Sequence, residues 1–239
     1  MLAILKREFN SFFSTSVGSL VIALFLTLNS LLLWFIPGEF NILDNGFADL
    51  SSFFIIVPWI FLFLIPAVTM KAFSEEKKMG TYELLATKPI SLKNIVLGKY
   101  FGAIILIYLA LIPTMIYVIT ISELTNNASN WDIGSTAGAY IGLFFLILAY
   151  AAVGIFTSTI SKNQIVAFIS SVFLCLFIYY GFDIISYFIQ IPYFEINTLG
   201  MKSHFDNISR GIVDTRDLIY FISVSVFFLI LTSINLRKD

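Results

Sequence analysis

Few residues of this sequence have side chains that could do chemistry, and most of them are poorly placed for it. His204 is the single histidine, which excludes a zinc site built from several histidines, and with Asp206 two residues away it reads as an outer-loop surface residue. Cys175 is the single cysteine and sits in an apolar run with no histidine to take its proton, so neither an activated thiolate nor an intrachain disulfide is expected. Asp183 would be a candidate for proton or cation handling if it lay at mid-membrane. Counting helically from Lys162 at ~1.5 Å per residue places it about 30 Å along, level with the opposite surface. A phosphate-cradling loop needs G-x-x-x-x-G-K-[ST], and the one Gly-Lys pair, Gly98-Lys99, is followed by Tyr100 with no glycine in the required place. What remains is "SEEKKMGTYELLATKP", Ser74 to Pro89, a polar island carrying Glu75, Glu76, Lys77, Lys78, Glu83 and Lys88.

The chain that must position this island is a membrane protein. Hydrophobic residues make up 59% of its 239 residues and charged ones 12%, against roughly 25% charged in a soluble domain. Its net charge of -1 selects no charged partner, and the 14 basic residues form no stripe for nucleic acid. A crossing helix needs about 20 apolar residues. Uncharged runs of that length predict six spans, at 17–36, 50–70, 100–122, 135–158, 163–182 and 218–236, the fourth lying within a longer run from Ile133 to Ser161. Pro58, Pro66 and Pro113 fall inside spans and predict kinks rather than breaks.

Short cytoplasmic loops hold an excess of lysine and arginine. Lys6 and Arg7, then Lys71, Lys77, Lys78, Lys88, Lys93 and Lys99, then Lys162, and finally Arg237 and Lys238 account for eleven of the 14 basic residues, all on alternate connections. The other connections hold only Lys202, Arg210 and Arg216. Both termini and the island are therefore expected on the cytoplasmic side, with Lys93 and Lys99 anchoring span three at that surface. The N-terminus has no small-residue cleavage site, which argues against a removable signal peptide. Leu2, Leu5, Phe9, Phe12 and Phe13 recur at helical spacing opposite Lys6, Arg7 and Asn10, predicting an amphipathic helix in the inner interface. Ser186 to Arg216 mixes aromatics with charges and reads as interfacial or re-entrant outer helices. With no internal repeat or linker, residues 1–239 read as a single all-α membrane domain.

Within the island, Gly80 disfavours helix and Pro89 ends it, while Thr81 can cap a short turn from Tyr82 to Thr87 with Glu83 near its positive end. Ser91 can cap the third span. By spacing alone this is a short charged helix held out from the membrane, and a solvated loop fits the same residues. The stretch "EEKKMGTYELLATKPISLKNIVLGKY", Glu75 to Tyr100, closely resembles the EE-x-x-x-GT-x-E-x-L-x-x-x-P-[IL] signature of ABC-2 type permeases, the membrane subunits of a class of ABC transporters. "GIFTSTISKNQIVAF", Gly154 to Phe168, and "HFDNISRGIVDTRDLIYF", His204 to Phe221, are similar to further segments of that family. Within it, the chain most resembles gliding-motility-associated permeases.

The resemblance implies a six-span permease of an exporter in the bacterial cytoplasmic (inner) membrane, itself neither an enzyme nor a binder of cofactors. ATP and Mg²⁺ are expected in a separate ATPase subunit. It implies ATPase coupling through Glu75, Glu76, Gly80, Thr81, Glu83, Leu84, Leu85 and Pro89, and pairing with a second permease copy or related subunit within the lipid bilayer. Gly98 and Gly102, Gly134, Gly138 and Gly142, and Gly154 form small-residue stripes that let helices approach closely, either within the chain or toward a partner. Two other classes stay open at this point: a motor-independent secondary transporter or channel, which would need membrane-buried charges, and a scaffold for envelope proteins.

Overall fold

The computed structural model describes residues 1–44, 49–86, 90–125, 131–189 and 195–237, and the side chains of 84–86 lie outside that description. Its elements are α1 (Leu2–Ser14), α2 (Val17–Ser30), α3 (Ser51–Thr69), α4 (Lys71–Met79), α5 (Thr81–Ala86), α6 (Leu92–Leu111), α7 (Met115–Leu124), α8 (Ile133–Ile160), α9 (Gln164–Leu176), α10 (Phe182–Phe188), α11 (Met201–Ser209) and α12 (Thr215–Asn235). No strand occurs among the described residues. Among those residues, six helical stretches are long and apolar enough to cross a membrane: Val17–Phe35, Ser51–Met79, Leu92–Leu124, Ile133–Ile160, Gln164–Phe188 and Thr215–Asn235. Helix satisfies every backbone group within one segment, which is why uncharged runs of this length adopt it in lipid.

Helix α8 is the post around which the others gather, packing against α3, α6, α9, α11 and α12. Its lower half reads Ala149, Tyr150, Ala151, Ala152, Val153, and all five are fully buried. Small side chains let its neighbours approach closely, and contact of that kind drives helix association in lipid, where burial gains nothing between helices. Below them Gly154 faces α3, where an added Cβ would collide with the side chain of Thr69. Asp132, Asn163 and Asp214 cap α8, α9 and α12, each accepting from a backbone N–H of the first turn.

The prolines act differently from one another. α3 runs through Pro58 and Pro66 without a break, whereas Pro113 sits in a 3-10 turn, Ile112–Thr114, that separates α6 from α7. π-helical turns at Leu31–Phe35 and Phe177–Gly181 extend α2 and join α9 to α10. Two boundaries also depart from the sequence reading. Span two does not stop at Met70, because α4 carries the helix on to Met79, and span three begins at Leu92 rather than Tyr100. Lysine and glutamate are good helix formers, so charge ends an apolar run without ending a helix.

At the end of the bundle that carries both termini, α1 lies against α2 and α6. It does so through Ile4 and Glu8, because an added Cβ at Gly98 or Gly102 of α6 would meet those two residues at 2.9 Å each. Leu2 and Phe13 stay exposed, giving α1 an apolar face turned away from the bundle. At the opposite end, α11 rests on α8 where Gly138 and Gly142 leave room for Ile208 and Phe205, and Gly134 lies beside Gly211. This bears out the expectation of helical segments between spans five and six; residues 190–194 lie outside the described residues.

Candidate functional site

The polar island folds as a helical hairpin. α4 ends at Gly80, whose φ of 67° is left-handed and strained for any residue with a Cβ, and α5 starts at once with Thr81. Rather than standing out from the membrane as a separate short helix, α4 continues the line of α3. Two hydrogen bonds fasten the hairpin to the ends of α8 and α12. Lys77 Nζ donates to the Thr159 carbonyl at 2.6 Å, and Tyr82 Oη donates to the Leu236 carbonyl at 3.1 Å. Asn235 Nδ2 also donates to the Thr159 carbonyl, at 3.1 Å, joining the ends of α8 and α12. Both carbonyls lie at helix C-terminal ends, where the last turn lacks intrahelical donors.

Beside the hairpin lies an ion cluster. Lys99 Nζ donates to Glu8 Oε1 at 3.0 Å and to Glu76 Oε1 at 2.9 Å. Arg7 donates to the same two oxygens at 2.8 and 2.9 Å. The Lys99 side chain is 2% exposed, those of Glu8 and Glu76 are 17% and 15%, and that of Arg7 is 51%. Lys99 also lies 5.1 Å from the centre of the Phe73 ring. Burial alone would push the Glu8 carboxyl up, but the Lys99 charge and the hydrogen bonds from Arg7 and Lys99 outweigh it and hold that carboxyl below its ordinary 4.5. Three elements meet here: α1 through Arg7 and Glu8, α4 through Glu76, α6 through Lys99. A cavity of about 490 Å³ opens next to the cluster, lined in part by Glu75, Lys71 and Thr69.

The structure thus divides the sequence-predicted residues. Gly80, Thr81 and Glu83 are exposed on the hairpin, Glu75 lines the cavity, and Glu76 is turned inward onto Lys99; Met79, which the sequence did not single out, is exposed beside them. Leu84 and Leu85 belong to α5, and Pro89 lies outside the described residues. Lys99 is no surface anchor: its ammonium is enclosed by two acids and a phenylalanine, while Lys93 stays exposed. The Glu8 partnership escaped the sequence reading. A signal was present, since Glu8 falls between Ile4 and Phe12 on the helical wheel, and an acid at the edge of an apolar stripe asks for a buried cation.

Far-end residues also differ from expectation. His204 is not a surface residue; its side chain is 15% exposed, with Nδ1 2.6 Å from Asp217 and Nε2 2.9 Å from the Thr198 carbonyl, and its ring stacks on Tyr220. Asp183 sits in α10, paired with Lys202 at 3.0 Å. That pairing at the end of the bundle removes Asp183 as an uncompensated charge inside the membrane. Ser91 stands at the N-cap of α6 but makes no side-chain capping bond. Among the described residues no group of three or more His, Cys, Asp or Glu could hold a metal ion.

Residues 38–234 match the family described as ABC-2 family transporter protein. No curated protein matches the chain. The match takes in five of the six membrane helices, the hairpin and the far-end segment, most of the chain. The chain belongs to the ABC-2 transporter family, a membrane transport component rather than a catalyst.

Proposed function

We propose that the chain is the permease subunit of an ABC-2 exporter in a bacterial cytoplasmic membrane, driven by a separate ATPase subunit that grips the α4–α5 hairpin from the cytosol. The observation that carries this reading is the hairpin's double character. It is bonded to the ends of α8 and α12, yet it turns Met79, 64% exposed, and Glu83 outward. An apolar side chain beside an acid on an otherwise polar surface suits an apolar cleft rimmed by basic groups. The basic residues support the orientation, because Lys6, Arg7, Lys71, Lys77, Lys78, Lys93, Lys162 and Arg237 all belong to the end that carries the termini. A role in a gliding-motility complex draws its support from the chain's resemblance, within the family, to gliding-motility-associated permeases.

A second permease subunit, identical or related, is part of the proposal. α2 and α9 are among the least buried spans, at 28% and 22%, and with α3 they border a trough of about 670 Å³ that includes Leu24, Leu28, Trp59, Phe63 and Phe168. The glycine stripes, by contrast, already hold α1, α11 and α3. Co-purification tests the docking reading. Met79→Asp combined with Glu83→Arg is expected to release the ATPase while the permease stays inserted. ATPase recovery equal to wild type from that variant would remove the hairpin from the interface.

A further inference from the structure

The face of the bundle between α6 and α12 carries a groove that the transport reading does not use. Its volume is about 340 Å³, and its walls include Leu97, Val226, Ile230 and Ile234. Lys93 and Arg237 close it at the end that carries the termini. Both are exposed, and neither has an ion-pair partner among the described residues. Among the described residues, no acidic side chain lines the groove. Val226, Ile230 and Ile234 stand at four-residue spacing on α12, so the apolar wall faces one way along its length.

We propose that this groove holds one anionic phospholipid, its acyl chain along α12 and its phosphate between Lys93 and Arg237. Two observations select that occupant over an arbitrary apolar partner. First, the rise from Val226 to Arg237 is about 16 Å at ~1.5 Å per residue, close to half of the ~30 Å hydrocarbon core, so the groove matches one leaflet in depth. Second, the unpaired cations sit only at the level where a headgroup lies. A zwitterionic lipid would fit the apolar wall equally well but would leave the two cations without net counter-charge.

The test is native mass spectrometry of the full chain in detergent, with phosphatidylglycerol and phosphatidylcholine of the same acyl length supplied together. Wild type is expected to retain phosphatidylglycerol preferentially. Lys93→Gln with Arg237→Gln is expected to lower that preference by about fivefold for each charge removed, roughly 25-fold for both. Lys162→Gln, which removes an exposed cation outside the groove, is expected to leave it unchanged. Filling the wall with Ile230→Trp is expected to reduce retention of both lipids. Both sites of the charge variant are exposed, and a thermal-unfolding comparison checks that it is folded. Should the preference survive the double charge variant, or fall equally in Lys162→Gln, the assignment is overturned. It is likewise overturned if inorganic phosphate competes as well as the lipid, since the site would then read a free anion and not a membrane component.

Discussion

Lys99→Met is the sharpest perturbation of the ion cluster, because it keeps the length of the side chain and deletes only the charge. The ammonium lies 3.0 Å from Glu8 and 2.9 Å from Glu76, and it is 2% exposed. Removing one partner of a buried ion pair costs about 3–5 kcal/mol, since the remaining charge is left desolvated. Here two carboxylates would be left, each retaining a contact to Arg7 and some access to water, which places the loss near the lower end, about 3 kcal/mol. For a domain of this size that corresponds to a fall in Tm of about 6–12 °C. Arg7→Gln removes a contact to the same two oxygens, but from a side chain 51% exposed. Solvent screening limits that loss to about 1 kcal/mol or less. Thermal unfolding of both variants in one detergent measures the difference. A second readout locates it: Ile4→Cys, buried against Gly98, is expected to resist maleimide in the wild-type background and to label quickly with Lys99→Met, while Cys175 is buried and silent. If Lys99→Met destabilises no more than Arg7→Gln, or leaves Ile4→Cys protected, the cluster does not hold α1 in place.

Two further outcomes follow from the same geometry. The folded-state carboxyl of Glu8 is held below its ordinary 4.5, so its contribution to stability is present in full above that value and is lost as pH falls through the depressed folded-state value. The Tm gap between wild type and Glu8→Gln is therefore expected to stay constant from neutral pH down to about 4.5 and to close below it; a gap that closes by pH 6 contradicts the assignment. Gly154→Ala places a Cβ against Thr69, a β-branched side chain that is itself buried, so little can yield. The expected cost is about 1–3 kcal/mol in unfolding, read as a fall in Tm in the same detergent; a Tm equal to wild type contradicts the close α3–α8 contact.

The six crossings were legible because a bilayer demands about 20 consecutive apolar residues, and each run announces itself without reference to any neighbour. The hairpin was legible for a similar reason, since Gly80, Thr81 and Glu83 are local signals. Long-range pairing carried no such signal. Nothing in the order of residues says that Glu76 turns toward Lys99 rather than outward beside Glu75, or that Glu8 completes the pair. Those choices depend on α4 continuing α3 and on α1 settling into the space left by Gly98 and Gly102. His204 was misread for the same reason: the neighbour in sequence, Asp206, is not its partner, and Asp217, thirteen residues on, is.

The continuity of α3 with α4 has a mechanical consequence. Ser51–Met79 spans 29 residues, about 43 Å of nearly unbroken helix, so the tip overhangs a ~30 Å hydrocarbon slab by about 13 Å. Pivoting such a beam by about 5° around its far end sweeps the tip through about 4 Å, roughly three-quarters of the ~5.4 Å pitch of a helix. Lys77 and Tyr82 fasten that tip to two other beams, so a shove delivered there displaces three crossings in concert instead of flexing one.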